Sequence, residues 1–205
     1  MSNKMDISQA LLIIDVQNDF CSGGSLTVPN GEQVAGPINR IMKSYSCIAA
    51  TQDWHPQGHF SFASAHPDKQ IFDTIPFLDD LQTLWPDHCI AGSHGAAFHP
   101  NLDTDKIDLI LRKGTNLNLD SYSAFYENDH TTSTGLAGYL RARSIEAVTI
   151  CGLAADVCVY FTAKDALSCG FQVSIFLDGV RGIDQPRGSL AERLEELQKA
   201  GVVLL

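Results

Sequence analysis

Unbroken aliphatic runs, and not alternating ones, mark the strands of this chain. "ALLIIDVQ" (10–17) places five apolar residues before its first charge, and such a run reads as a strand buried on both faces of a parallel sheet. "CIAATQD" (47–53), "IDLILRK" (107–113), "EAVTICG" (146–152), "FQVSIFLD" (171–178) and "GVVLL" (201–205) continue the series. Helical periodicity fills the intervals 32–45, 133–144, 156–168 and 189–199, with Gly36 and Pro37 weakening the first half of the first one. Strand and helix in alternation predict βαβ units. The fold expected is one three-layer α/β/α domain over residues 1–205, with a mainly parallel central sheet and helices on both faces.

Residues 54–105 break this rhythm. They hold five of the eight prolines and six of the seven histidines, and read as mostly irregular. An excursion this long inside a compact domain is either disordered or functional, and its aromatic and histidine content argues against disorder. It is the first place to look for a site.

Composition narrows the partners. Hydrophobic residues at 44% and charged residues at 19% describe an ordinary globular chain. A formal charge of −10 argues against nucleic-acid and anionic-membrane surfaces, which need clustered Lys and Arg. The opening "MSNKMDISQALLIID" has an apolar run too short for a signal peptide or a membrane span. A cytoplasmic location is expected, with the six cysteines as reduced thiols. They include no CxxC pair, which argues against a structural zinc knuckle.

In open parallel sheets ligands bind outside the carboxyl ends of the strands. Asp15, Asp53 and Lys113 end three proposed strands, and Cys158 follows the turn after a fourth. A carboxylate interrupting "LLII–VQNDF" is costly unless paired, and Lys113 could pair with it as a plain salt bridge. A thiol at the same edge favours chemistry instead, with Lys113 facing the cleft. Of the three cysteines in 149–170, Cys158 falls in a first helical turn, where the dipole and free N–H groups lower a thiol pKa, with Asp156 as the expected N-cap. Cys151 lies inside a strand and Cys169 at the opposite helix end, so neither has those donors. "DWHPQGH" brings Asp53, His55 and His59 together, and "WPDHC" adds His88. Carboxylate plus imidazoles suits zinc, iron or manganese with positions left open.

"LLIIDVQNDFCSGGSLTVPNG", "TQDWHPQGHFSF", "WPDHCIAGSHGAAFHPNL", "LRKGTN…DSYSAF" and "CGLAADVCVYFTAKDAL" together resemble the nicotinamidases, of the isochorismatase-like cysteine hydrolases, over about residues 10–182. The resemblance implies a catalytic triad of Asp15, Lys113 and Cys158. It implies one divalent metal ion (Zn, Fe or Mn) on Asp53, His55 and His88, with His59 a ligand in some members and Ser61 supporting a metal-bound water in part of the family. It implies Phe20, Leu26, Trp85 and Tyr122 as pocket walls, and a cis Leu153–Ala154 peptide aiming backbone N–H groups at the reacting oxygen, with Ala154 and Cys158 as the oxyanion donors. The expected activity is hydrolysis of nicotinamide, and of pyrazinamide, through a Cys thioester and without an organic cofactor, in NAD salvage. The chain departs from the family at Ala155, where many members carry Thr, and the expected cost is a local hydrogen bond.

Two rival readings stand beside this one. A metal-independent carbamoyl or ureido amidase would share the triad, and the Asp53–His55–His88 set speaks against it. A ligand-binding or thiol-sensor domain would use the same fold without turnover, and the intact triad speaks against that. The oligomeric state stays open, a homo-oligomer included.

Overall fold

The structure of the protein, a computed structural model, describes residues 8–205; residues 1–7, which open the stretch weighed for a targeting signal, lie outside them. Among the described residues the main sheet has six parallel strands: β1 (Gln9–Ile14), β2 (Ile48–Asp53), β5 (Leu109–Lys113), β6 (Ala147–Gly152), β7 (Gln172–Val180) and β8 (Val203–Leu204). Their order is β5-β2-β1-β6-β7-β8. The chain builds outward from β1 to β5, then returns to lay β6 on the other side of β1. The order therefore reverses between β1 and β6, and the crevice at such a switch point is where open α/β sheets bind ligands.

The aliphatic runs are explained by burial on both faces. Ala10, Leu12 and Ile14 enter one core with Val148, Ile150, Val159 and Ala163. Leu11 and Ile13 enter the other with Ile38, Met42, Ala50 and Cys151. Helices α2 (Leu136–Ala142), α3 (Cys158–Ser168) and α4 (Ser189–Lys199) contribute to the first core, and α1 (Ala35–Ile41) to the second. None of the helices among the described residues is long and apolar enough to cross a membrane.

One expectation needs correction. The helix expected over 32–45 is α1 alone, flanked by short 3₁₀ turns at 31–34 and 42–44; Pro37 is tolerated because it lies in the first turn, where its missing N–H has no carbonyl to serve. The excursion after β2 is mostly irregular, as expected, with one sheet element inside it. It folds back as a hairpin, β3 (Thr74–Phe77) with β4 (Asp80–Thr83), and single bridges His55↔Ile90 and Phe62↔Trp85 fasten the flanking segments. The hairpin escapes periodicity because one strand has Pro76 at its centre and the other exposes Leu81.

Candidate active site

The carboxyl edge collects the sequence-derived residues at one point. Asp15 leaves β1 in the left-handed region (φ 47), where its N–H meets Thr51 Oγ1 at 3.1 Å. Beside it Gly152 (φ 110) approaches Ile14 so closely that a Cβ would overlap the Ile14 carbonyl, and Leu153 N–H donates to that carbonyl at 2.8 Å. Only glycine allows β1 and β6 to close together here. Asp53 and Lys113 are register partners at the ends of β2 and β5.

Lys113 is the hub of this edge. Its Nζ lies 2.9 Å from Asp15 Oδ2, donates to Asp53 Oδ1, donates to Ser121 O at 2.8 Å and stands 3.6 Å from Cys158 Sγ. It is completely buried, and so is not the cleft-facing cation expected from the sequence. Burial alone would strip its proton; the carboxylates of Asp15 and Asp53 outweigh that and hold its pKa well above the usual range. Asp15 is pushed up by burial, against the pull of Lys113. Asp53 is held well below the ordinary carboxylate range because Lys113, His55 and His88 together outweigh its burial.

Cys158 opens α3, as the sequence implied, but Asp156 is not the cap. Val157 takes the cap position without a side-chain bond. The Asp156 carboxylate instead accepts the N–H groups of Ile183 (2.9 Å) and Asp184 (2.7 Å), tying the loop after β7 to the active-site turn. Nor is the thiol lowered by its helix end: burial drives its pKa well above the free value, with Lys113 pulling the other way. Ionisation therefore requires a base, and Asp15 is within reach, since Cys158 Sγ, an Asp15 oxygen and an Asp53 oxygen lie within 4.8 Å of one another. Asp15 Oδ2 is the oxygen that pairs with Lys113, at 2.9 Å.

Asp53 serves two groups with its two oxygens. Oδ1 takes Lys113; Oδ2 stands 3.7 Å from His55 Nε2 and 3.7 Å from His88 Nε2. Each histidine turns its other nitrogen to a carbonyl, His55 Nδ1 to Gly114 O (2.9 Å) and His88 Nδ1 to Pro86 O (2.8 Å). A backbone acceptor on Nδ1 fixes the tautomer that offers Nε2 as a lone-pair donor, the outer-shell arrangement of metal sites. The three donor atoms converge within 4.8 Å, so the residues fit a divalent ion. Gly114 (φ 64) is required, because a Cβ there would overlap the His55 ring. His59 falls in a second set with His55 and Asp120, and its Nδ1 pairs with Ser61 Oγ at 2.8 Å.

Above these groups lies a small chamber. All four expected wall residues, Phe20, Leu26, Trp85 and Tyr122, line it, together with Asp53, His88, Ala154 and Cys158. The sequence reading missed Asp120, Val157 and Ile183 in that lining. Asp120 and Val157 lie inside the quoted motifs "DSYSAF" and "CGLAADVCVYFTAKDAL", so the signal was present there; Ile183 gave none. The Leu153–Ala154 peptide is cis. Among the described residues no backbone acceptor takes the N–H of Ala154 or of Cys158.

Residues 9–204 match the Isochorismatase domain, and the chain belongs to that family. Several of the relatives it matches are nicotinamidases. The nicotinamidase of Acinetobacter baylyi is 47% identical, covering 94% of this chain and 90% of that protein. The solved Acinetobacter baumanii nicotinamidase–pyrazinamidase is 46% identical with a TM-score of 0.96, covering 98% of this chain and 97% of the other. PnC1 from L. infantum, solved in complex with nicotinate, is 40% identical with a TM-score of 0.85, covering 97% of this chain and 92% of the other.

Proposed function

We infer that the protein is a cytoplasmic, single-domain amidohydrolase that converts nicotinamide to nicotinate and ammonia. The observation that carries this reading is the contact of Lys113 Nζ with Asp15, Asp53 and Cys158 at the floor of an aromatic-walled chamber. Full-length identity to nicotinamidases supports it. Six free thiols, which suit a reducing environment, support the compartment.

In this reading Asp15 Oδ2 takes the Cys158 proton and the sulfur attacks the carboxamide carbon. The N–H groups of Ala154 and Cys158 receive the developing oxyanion, each such donor being worth about 3–4 kcal/mol. Asp15 then gives its proton to the departing nitrogen as the C–N bond breaks, releasing ammonia and leaving a thioester. A water loses its proton to Asp15 and attacks the thioester; the C–S bond breaks, nicotinate leaves and Asp15 returns the proton to sulfur. Lys113 offsets the negative charge that passes between Asp15 and Cys158.

Asp53, His55 and His88 would hold one divalent ion, zinc, iron or manganese, which would supply a Lewis-acidic anchor for the pyridine nitrogen. The same three donors argue against a metal-independent carbamoyl amidase. Phe20 and Trp85 flank the ring, and Leu26 and Tyr122 close the chamber around it.

The test is ammonia release from nicotinamide before and after chelator treatment. Turnover that falls on chelation and returns with a divalent metal supports the reading. No release from nicotinamide by the metal-loaded protein would overturn it.

A further inference from the structure

A second chamber of about 490 Å³, partly open to solvent, adjoins the first and shares four walls with it: Trp85, Tyr122, Val157 and Ile183. The hairpin β3–β4 forms its far side through Thr74, Leu81 and Thr83. That hairpin is largely exposed, Leu78 at 70% and Leu81 at 61%, yet one β4 side chain, Gln82, is 2% exposed.

Gln82 reaches from the hairpin to the shared wall. Its Nε2 lies 2.8 Å from Tyr122 Oη, 2.8 Å from Asp120 Oδ2 and 2.8 Å from Thr83 O. Its Oε1 accepts Asn128 Nδ2 at 3.3 Å, and Asn128 Oδ1 in turn accepts the Tyr122 backbone N–H at 2.9 Å. Trp85 Nε1 donates to the same Tyr122 oxygen at 3.1 Å. The wall between the chambers is therefore two aromatic side chains meeting at one hydroxyl, and Gln82 is the third group on it. Buried amides hold such arrangements because each unmade bond costs a full desolvation.

We propose that Gln82 is a specificity-determining positioning residue: by fixing Tyr122 against Trp85 it keeps the two chambers separate and limits the substrate to a small, unsubstituted ring. The proposal rests on the amidase reading. With the latch removed, Tyr122 is freed toward Phe161, whose ring centroid is 5.3 Å away on the outer side. A ring carrying a flat apolar substituent then gains access to the outer chamber.

The experiment compares nicotinamide with a phenyl-substituted nicotinamide, metal content being matched throughout. Gln82→Met keeps the side-chain length and removes the amide. KM for nicotinamide should rise about tenfold, the effect of one lost buried hydrogen bond, with kcat little changed. kcat/KM for the substituted amide should hold or increase, so that the ratio between the substrates moves about tenfold. Tyr122→Phe keeps the ring, deletes the accepting oxygen and should move the ratio the same way; it carries the test if Gln82→Met does not fold. Equal losses on both amides, or an unchanged ratio, would overturn the proposal. A wild-type protein that releases no ammonia from nicotinamide would overturn the amidase reading instead, and is identified before any variant is compared.

Discussion

Thr51 donates its hydroxyl to Asp15 Oδ1 at 2.6 Å while accepting the Asp15 backbone N–H at 3.1 Å. One side chain thus holds both the left-handed backbone of Asp15 and one of its two carboxylate oxygens, while the other pairs with Lys113 at 2.9 Å. The bond to Oδ1 also favours the ionised carboxylate against the burial that raises its pKa. Asp15 works as a base only when ionised, so kcat/KM should rise with pH through a limb lying above the ordinary carboxylate range. Thr51→Val removes one stabiliser of the anion, and the limb should move to higher pH. Thr51→Ser should restore its position. A pH profile of kcat/KM for the three proteins checks this, and an unmoved limb in Thr51→Val would count against it.

Cys158→Ala should abolish turnover, whereas Cys151→Ala and Cys169→Ala should keep most of it. Cys158 alone lies within reach of Asp15 and Lys113. Cys151 is fully buried against Leu12 O at 3.5 Å, and burial drives its pKa far up. Cys21 is likewise pushed up, to about 11, by burial and by Glu32. Intact-protein mass spectrometry during slow turnover should show an acyl adduct on Cys158. An adduct on any other cysteine would remove the mechanism.

Lys113 carries stability as well as chemistry. It pairs with two buried carboxylates, and removing one partner of a buried ion pair costs about 3–5 kcal/mol. Lys113→Met should therefore lower both turnover and the melting temperature. Adding Asp15→Asn should recover part of the melting temperature and none of the turnover, since it removes one uncompensated charge along with the base. Thermal melts of wild type, single and double variants separate the two effects. A Lys113→Met protein that melts like wild type would contradict the buried hub.

What the sequence made legible was the edge, and what it hid was depth. The runs ending at Asp15, Asp53 and Lys113 placed all three at the carboxyl ends of parallel strands, because continuous aliphatic stretches leave few alternatives for where a strand stops. Burial is a tertiary property, and two readings failed on it. Lys113 looked cleft-facing and is enclosed; the Cys158 thiol looked acidic from its helix end and is raised by its surroundings. Asp156 failed for a related reason. Its carboxylate had better donors in the Ile183 and Asp184 backbone, residues distant in sequence, than in its own helix. Gln82 carried no signal, because nothing in "DDLQTLWP" marks a hairpin or shows that its glutamine points inward.

The division of labour in Asp53 decides how the metal's role is to be tested. Its Oδ1 belongs to the Lys113 hub and its Oδ2 faces the two histidines. Asp53→Ala would disturb both, and loss of activity in it would say little about the metal. His88 touches the second group only, with Nδ1 on Pro86 O and Nε2 toward Asp53. His88→Ala is therefore the informative variant. If the ion orients the ring, wild type should strongly prefer nicotinamide to benzamide, which carries the same carboxamide on a ring without nitrogen. A site built to hold a polar group rejects an analogue lacking it by several orders of magnitude in kcat/KM. His88→Ala, with metal content measured, should lose most of that preference while the thiol still cleaves both amides slowly. The measurement is kcat/KM for both substrates in both proteins. Full preference surviving in a metal-free His88→Ala would show the ion to be structural, holding residues 54–105 over the chamber and leaving the ring to be oriented by Phe20, Trp85 and Tyr122.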